Sequence, residues 1–239
     1  MKEKEVIILA GGLGTRLRSV VNDIPKVMAQ VNGKPFLEYT LDYLNSQNMT
    51  RVILSVGYKY DIIQNYFKDR FKNIELVYSI ESEPLGTGGA LKKALELTAN
   101  ENIFFMNGDT FFGIDLDKLE NCHLENNSIC TIALKYMENC DRYGTVKVDE
   151  NRKIISIQEK KIGEQGFINA GVYLVNKKIF STNKIVTSDI FSFEKDYLEP
   201  MYTKKAFYGC EFDSYFIDIG VPEDYEKIQN EYRNLFLTH

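Results

Sequence analysis

Arg16 and Lys26 follow three closely spaced glycines, Gly11, Gly12 and Gly14, and those glycines follow the apolar run at 5–10. Asp109 and Asp218 each stand just beyond another apolar run, in "FFMNGDT" and "YFIDIG". Glycines after a buried strand let backbone N–H groups approach an anion, and neighbouring cations strengthen the grip. Two carboxylates on separate strand ends could jointly hold Mg2+, a hard cation that prefers oxygen ligands and triphosphates. The pattern therefore points to phosphate chemistry, and the question is which kind.

Two common phosphate loops fail on spacing. After Gly11 and Gly12 there is no Gly-Lys-Ser/Thr, so a P-loop is excluded. Gly12-x-Gly14 begins a dinucleotide fingerprint, but Leu17 stands where its third glycine belongs. What remains is "GGLGTR", with Lys26 placed after Pro25.

"LAGGLGTRL" followed by "PKVM" closely resembles the signature of the sugar-phosphate nucleotidyltransferases, which make nucleotide-sugars from a nucleoside triphosphate and a sugar 1-phosphate. The resemblance continues through "GTGGAL", "NGDT", "EKK", "INAGVY" and "DIGVPEDY", nearly the whole chain. It implies that Leu9, Ala10, Gly11, Gly12, Gly14 and Thr15 receive the nucleotide. Arg16 would hold the β- and γ-phosphates that leave as pyrophosphate, and Lys26 the α-phosphate under attack. It also implies that Asp109 and Asp218 bind the metal. The loop "ESEPLGTGGA" would hold the base, with Gly86, Thr87 and Gly88 close to it and Glu83 near its edge. Gly144, Glu159, Lys160 and Asn169 would hold the sugar phosphate, Lys160 pairing with its phosphate. One departure stands out: the usual Glu-Lys-Pro is here Glu159-Lys160-Lys161.

These groups need a scaffold that brings strand ends together. "EVIILA", "RVILSV", "NIELVYS" and "NIFFMN" read as buried parallel strands. Between them, 35–48, 61–71 and 88–99 carry helical spacing, with Pro35 suited to a first turn. After residue 128 the strands lie closer together: "SICTIALKY", a hairpin of "GTVKVD" and "KIISIQEK", then "FINAGVYLV" and "SYFIDIG". "FSFEKDYLEPMY" reads as helical until Pro200, and Pro222 opens a last helix. The expected fold is α/β, a Rossmann-like doubly wound mixed sheet, predominantly parallel, of the nucleotide-diphospho-sugar transferase type. No linker or repeat divides it, so a single domain over 1–239 is expected. Its nucleotide-binding half is about 1–127 and its sugar-phosphate half about 128–239.

Composition narrows the partners. Formal charge is −5, from 29 basic and 34 acidic residues, which argues against neutralising the many phosphates of a nucleic acid. The apolar runs fall short of the roughly 20 residues of a membrane span, and the first is too short for a signal-peptide core. The four cysteines, Cys122, Cys130, Cys140 and Cys210, form no C-x-x-C pair, so a cytoplasmic protein with reduced thiols is expected. The aromatics in 191–216 read as core cover rather than an oligomer interface, although the sequence fixes no oligomeric state.

The form "PLGTGGA" and the short chain look most like the guanylyltransferase branch, which implies GTP and a manno-configured heptose 1-phosphate as substrates. A thymidylyl-, uridylyl- or cytidylyltransferase acting on a hexose 1-phosphate stays open as an alternative. So does a non-catalytic nucleotidyltransferase-like regulatory subunit, although that would be expected to lose Arg16, Lys26, Asp109, Lys160 and Asp218. An NAD-linked oxidoreductase is set back by Leu17.

Overall fold

The structure is a computed structural model and describes residues 4–12, 23–158, 163–181 and 188–236. In chain order, the first half runs β1 (Glu5–Leu9), a ribbon of β2 (Gln30–Val31) and β3 (Lys34–Pro35), α1 (Phe36–Ser46) and β4 (Arg51–Val56). It continues with α2 (Tyr60–Phe67), β5 (Arg70–Phe71), β6 (Ile74–Ile80), α3 (Gly86–Leu95), β7 (Asn102–Asn107) and β8 (Thr110–Phe112). The second half holds α4 (Leu116–Glu125), β9 (Cys130–Met137), β10 (Thr145–Val148), β11 (Ile154–Gln158) and β12 (Gly166–Asn176). A π-helical turn at Phe193–Leu198 leads into α5 (Glu199–Met201), followed by β13 (Phe207–Phe212), β14 (Phe216–Asp218) and α6 (Pro222–Glu231).

The centre of the main sheet is the parallel set β7-β1-β4-β6. Side chains alternate across a strand, so β1 sends Val6 and Ile8 into one core and Ile7 into the other. The first core packs against α1, α2, α4 and α6, through residues such as Leu41, Ile63, Leu119 and Ile228. The second is covered by α3 and by 193–201, through Leu91, Leu95, Phe193 and Met201. Both faces being buried is why the strands read as unbroken apolar runs.

β12 joins the two halves. It runs antiparallel to β7 along Val172–Asn176 and to β9 along most of its length, while β10 meets its other end at Ile168. β7 and β10 therefore share one edge of β12, and they leave Asn169–Gly171 uncovered between them. The register with β9 shifts there, and Gly171 takes the left-handed backbone (φ 72°) that glycine tolerates best.

β8, β13 and the β2–β3 ribbon were not expected from the sequence, and three expected elements take a different form. The helix expected over 61–71 stops at Phe67, where Lys68 adopts φ 57° and Arg70–Phe71 turns back to pair with Ile74–Glu75. The segment around Pro200 stays helical through Met201 instead of ending at the proline. The wide π turn before it relieves the clash a proline ring normally makes with the carbonyl four residues back. Pro35 stands at the cap rather than inside the first turn, because it also ends β3. All four cysteines are free and buried, and among the described residues no helix is long and apolar enough to cross a membrane.

Candidate functional site

Parallel strands bring their carboxyl ends to one edge of the sheet. Leu9, Gly11 and Gly12 at the end of β1, Glu81 after β6, and Asn107 and Asp109 at the end of β7 consequently border one cavity of about 460 Å³, closed on its far side by Gly86, Thr87 and Ala90 of α3. A second cavity of about 460 Å³ opens beside it, lined by Gly144 on one wall, Asn169–Gly171 on another, and Asp218. The two cavities share Thr87, Asn107 and Asp109. The uncovered stretch of β12 is the wall of the second.

Charge concentrates where the cavities meet. Lys26, in a short 3-10 turn after Pro25, places Nζ 2.6 Å from Asp109 Oδ2, with only 10% of its side chain exposed. β14 pairs antiparallel with β8, setting Asp218 opposite Thr110, and the Ile219 N–H donates to the Asp109 carbonyl. A Cβ on Gly220 would lie 2.7 Å from Asp218 Oδ1 and 3.1 Å from Lys26 Nζ, so the lysine and both aspartates converge there. Burial, then the Asp109 charge, raises the Asp218 carboxyl above its usual range, opposed by Lys26 and by the Gly220 N–H that donates to Oδ1. Gly108 makes the approach possible: its N–H donates to the Leu9 carbonyl, and a Cβ there would sit 2.4 Å from that oxygen.

The glycines of "GTGGAL" do two jobs. Gly86 lines the first cavity and has φ 71°, while the Gly88 N–H donates to the Phe191 carbonyl at 2.9 Å. A Cβ on Gly88 would fall 2.1 Å from Phe191 Cε2. Gly88 is thus buried against Phe191 and lines neither cavity; the space its missing side chain leaves is filled by that ring. Ala10 is likewise buried and lines neither cavity, its N–H donating to the Ser55 carbonyl. Glu83 is exposed and borders only a smaller cavity of about 230 Å³ beside Gly11 and Tyr58. Glu81, two residues earlier, borders both that cavity and the larger one. Its carboxylate accepts from the Ser55 hydroxyl and the Leu85 N–H, which ties the loop to β4. Its position directly beyond a parallel strand was the available signal for it.

On the other side, Asn169 faces the second cavity with its amide fixed at both ends, Nδ2 donating to the Tyr173 hydroxyl and Oδ1 accepting from the Gly171 N–H. Gly144 packs against β11, where a Cβ would meet the Gln158 carbonyl at 2.5 Å. Arg142, absent from the sequence reading, lines this cavity, stacks on the Tyr143 ring and pairs with Asp224 in the first turn of α6. Glu194 lines it too and is a further residue that sequence reasoning missed; one of three acids in a helix-like stretch carries no local signal. Gly14, Thr15, Arg16, Glu159, Lys160 and Lys161 lie outside the described residues.

Comparison with known proteins gives the family. The chain is 54% identical to a D-glycero-alpha-D-manno-heptose 1-phosphate guanylyltransferase of Campylobacter jejuni, covering 92% of this chain and 96% of that protein. It is 50% identical to the protein of the same name from Aneurinibacillus thermoaerophilus, covering 95% and 97%. Among solved structures, HddC from Yersinia pseudotuberculosis superposes with a TM-score of 0.85 at 41% identity, over 96% of this chain and 99% of that one, and it has also been solved complexed with GMP-PN. The family model for nucleotidyl transferases matches residues 5–234. Lys26 lines neither cavity and reaches them through Asp109, which both share; with the cavities meeting at that aspartate on the carboxyl edge of a doubly wound sheet, the chain belongs to the nucleotidyl transferase family.

Proposed function

We propose that the chain joins GTP to D-glycero-α-D-manno-heptose 1-phosphate, giving GDP-heptose for surface-glycan synthesis and releasing pyrophosphate. The observation that carries this reading is the 54% and 50% identity, over nearly the full length of both partners, to enzymes bearing that name. The two adjoining cavities supply room for two substrates whose reacting ends meet at Lys26 and Asp109. The cavity between Leu9, Gly11 and Gly12 on one side and Gly86, Thr87 and Ala90 on the other takes the nucleotide, with Glu81 and Glu83 as the acidic groups nearest its base end. The cavity walled by Gly144 and Asn169 takes the sugar. The chain acts as one domain in the cytoplasm, where nucleoside triphosphate is at hand.

The reaction is in-line attack by an oxygen of the sugar 1-phosphate on the α-phosphorus. A phosphate monoester loses its second proton at about pH 6, so the nucleophile is already ionised and needs no general base. His123, buried in α4 and hydrogen-bonded to Thr131, borders neither cavity, in keeping with that. Lys26 donates to the α-phosphate as charge builds on it, and Arg16 and Lys160 are assigned to the leaving pyrophosphate and the sugar phosphate. Enclosure in the paired cavities orients the two phosphates.

The donor set at Asp109 and Asp218 fits Mg2+. The Asp218 carboxyl is buried and feels the Asp109 charge, Lys26 pairs with Asp109, and both acids offer hard oxygen donors. Among the described residues no third His, Cys, Asp or Glu joins them, so the remaining ligands come from triphosphate oxygens and water, as Mg2+ prefers. When bound, the ion supplies charge neutralisation to the phosphates. The deciding experiment is a matrix of GTP, ATP, UTP, CTP and dTTP against heptose, mannose and glucose 1-phosphates, read by pyrophosphate release. The GTP and heptose pair is expected to dominate; a stronger response to another base or sugar overturns the assignment.

A further inference from the structure

One carboxylate touches the walls of both cavities. Glu194, in the π turn, accepts through Oε2 from the Thr87 hydroxyl at 2.7 Å and the Ser192 hydroxyl at 3.1 Å. Through Oε1 it accepts from the Tyr173 hydroxyl at 3.2 Å. Thr87 lines both cavities and is itself held by the Phe193 N–H at 2.8 Å. The Tyr173 hydroxyl, having donated to Glu194, is left to accept from Asn169 Nδ2 at 2.8 Å.

The direction of each bond follows from the chemistry. An ionised carboxylate only accepts, so both hydroxyls must donate to it. Tyr173 is 1% exposed, and burial together with the nearby Glu194 charge pushes its phenol far above the ordinary value, keeping it a donor. Asn169 is consequently oriented with one Nδ2 hydrogen and one Oδ1 lone pair engaged inside the wall. Its second donor and second acceptor remain for the cavity. Remove the carboxylate, and the Tyr173 proton competes for the Asn169 amide. Satisfying it requires a flip that turns Nδ2 onto the Gly171 N–H, so either choice strands a buried donor.

Resting on the reading of these cavities as sugar and nucleotide sites, we infer that Glu194 is a positioning residue: it fixes Asn169 toward the sugar phosphate through Tyr173, and Thr87 toward the nucleotide directly. It lines the sugar cavity itself and is assigned no contact with the reacting phosphates. Its two arms separate in a steady-state series, run with whichever triphosphate and sugar 1-phosphate the wild-type chain turns over fastest. Tyr173→Phe cuts the sugar arm alone and is expected to raise the sugar-phosphate KM about tenfold, with the triphosphate KM within twofold of wild type. Glu194→Ala raises both KM values. Glu194→Gln, whose amide oxygen can still accept from Tyr173, returns the sugar-phosphate KM to within about threefold of wild type. A lost packing contact would lower stability without this KM pattern or the rescue.

A sugar-phosphate KM within twofold of wild type in Tyr173→Phe overturns the inference. So does Glu194→Ala acting on kcat with both KM values unmoved. Should Glu194→Ala fail to fold, Tyr173→Phe, which deletes one oxygen, decides the matter. A best substrate pair other than GTP and heptose 1-phosphate revises the proposed function and leaves this test in force, whereas a wild-type chain inert on every pair overturns both.

Discussion

Replacing Lys26 with alanine separates two roles that the same contact could serve. Its Nζ lies 2.6 Å from Asp109 Oδ2, and its side chain is 10% exposed, so water screens it little. If its work is to donate to the α-phosphate in the transition state, removing it costs about 2.7–4 kcal/mol, or roughly 100- to 1,000-fold in kcat, the scale of losing one such donor. The triphosphate KM should move much less, because the interaction strengthens only as charge develops. If instead the lysine only balances Asp109, kcat survives and stability falls.

The aspartates give a second readout. Without Lys26 the two carboxylates face each other unbalanced, and the Asp218 carboxyl, already raised by burial and by Asp109, rises further. A carboxyl raised in the folded state works against folding above its folded pKa, and that penalty fades as pH falls through it. A divalent cation offsets the same penalty at neutral pH. Thermal melting with Mg2+ and with EDTA should therefore show a larger metal-dependent gain in Lys26→Ala than in wild type, even as pyrophosphate release collapses. A variant with kcat within threefold of wild type removes Lys26 from the reaction. No metal-dependent shift in either protein, with triphosphate present, removes Asp109 and Asp218 as ligands.

Two further expectations concern the scaffold. Gly88→Ala forces a Cβ to 2.1 Å from the Phe191 ring, so the variant should lose about 1–3 kcal/mol and melt several degrees lower, with Phe191→Leu in the same chain restoring part of the loss; an unchanged melting point refutes the packing assignment. Burial holds His123 down to about 4, against 6.5 when unfolded, so between those values the unfolded chain takes up a proton that the folded chain refuses, and stability falls with pH by about 3 kcal/mol from this group. Urea denaturation at pH 7 and pH 4.5 should show a shallower loss in His123→Gln, and equal losses in the two proteins would contradict the burial argument.

Much of this protein is local, and local features are legible along a chain. The apolar runs of β1, β4 and β7 announce strands buried on both faces, and both cores are there to bury them, whereas β6 was read the same way but exposes Glu75 and Ile80. Asp109 and Asp218 announced themselves as acids just past apolar runs, and the β8–β14 pairing sets Asp218 opposite Thr110, the residue after Asp109. Spacing was less informative about glycine. A glycine at Gly88 meant close approach in either case, but only the fold says that Phe191 makes the approach. Likewise, Glu83 and Glu81 sit in one acidic stretch, and the carboxyl end of β6 selects which of them faces the larger cavity.

The residue types and their order determined a doubly wound sheet with glycines, a lysine and two acids near its carboxyl edge, because strand periodicity, glycine freedom and charge are properties of short segments. Tertiary structure alone decided that Glu194 reaches Thr87, 107 residues away, and Tyr173, 21 residues away. It also decided that Lys26 meets Asp109 across 83 residues. Hydrogen bonds act over about 3 Å of space and are indifferent to separation along the chain, so partners of this kind exist only once the sheet has closed the distance.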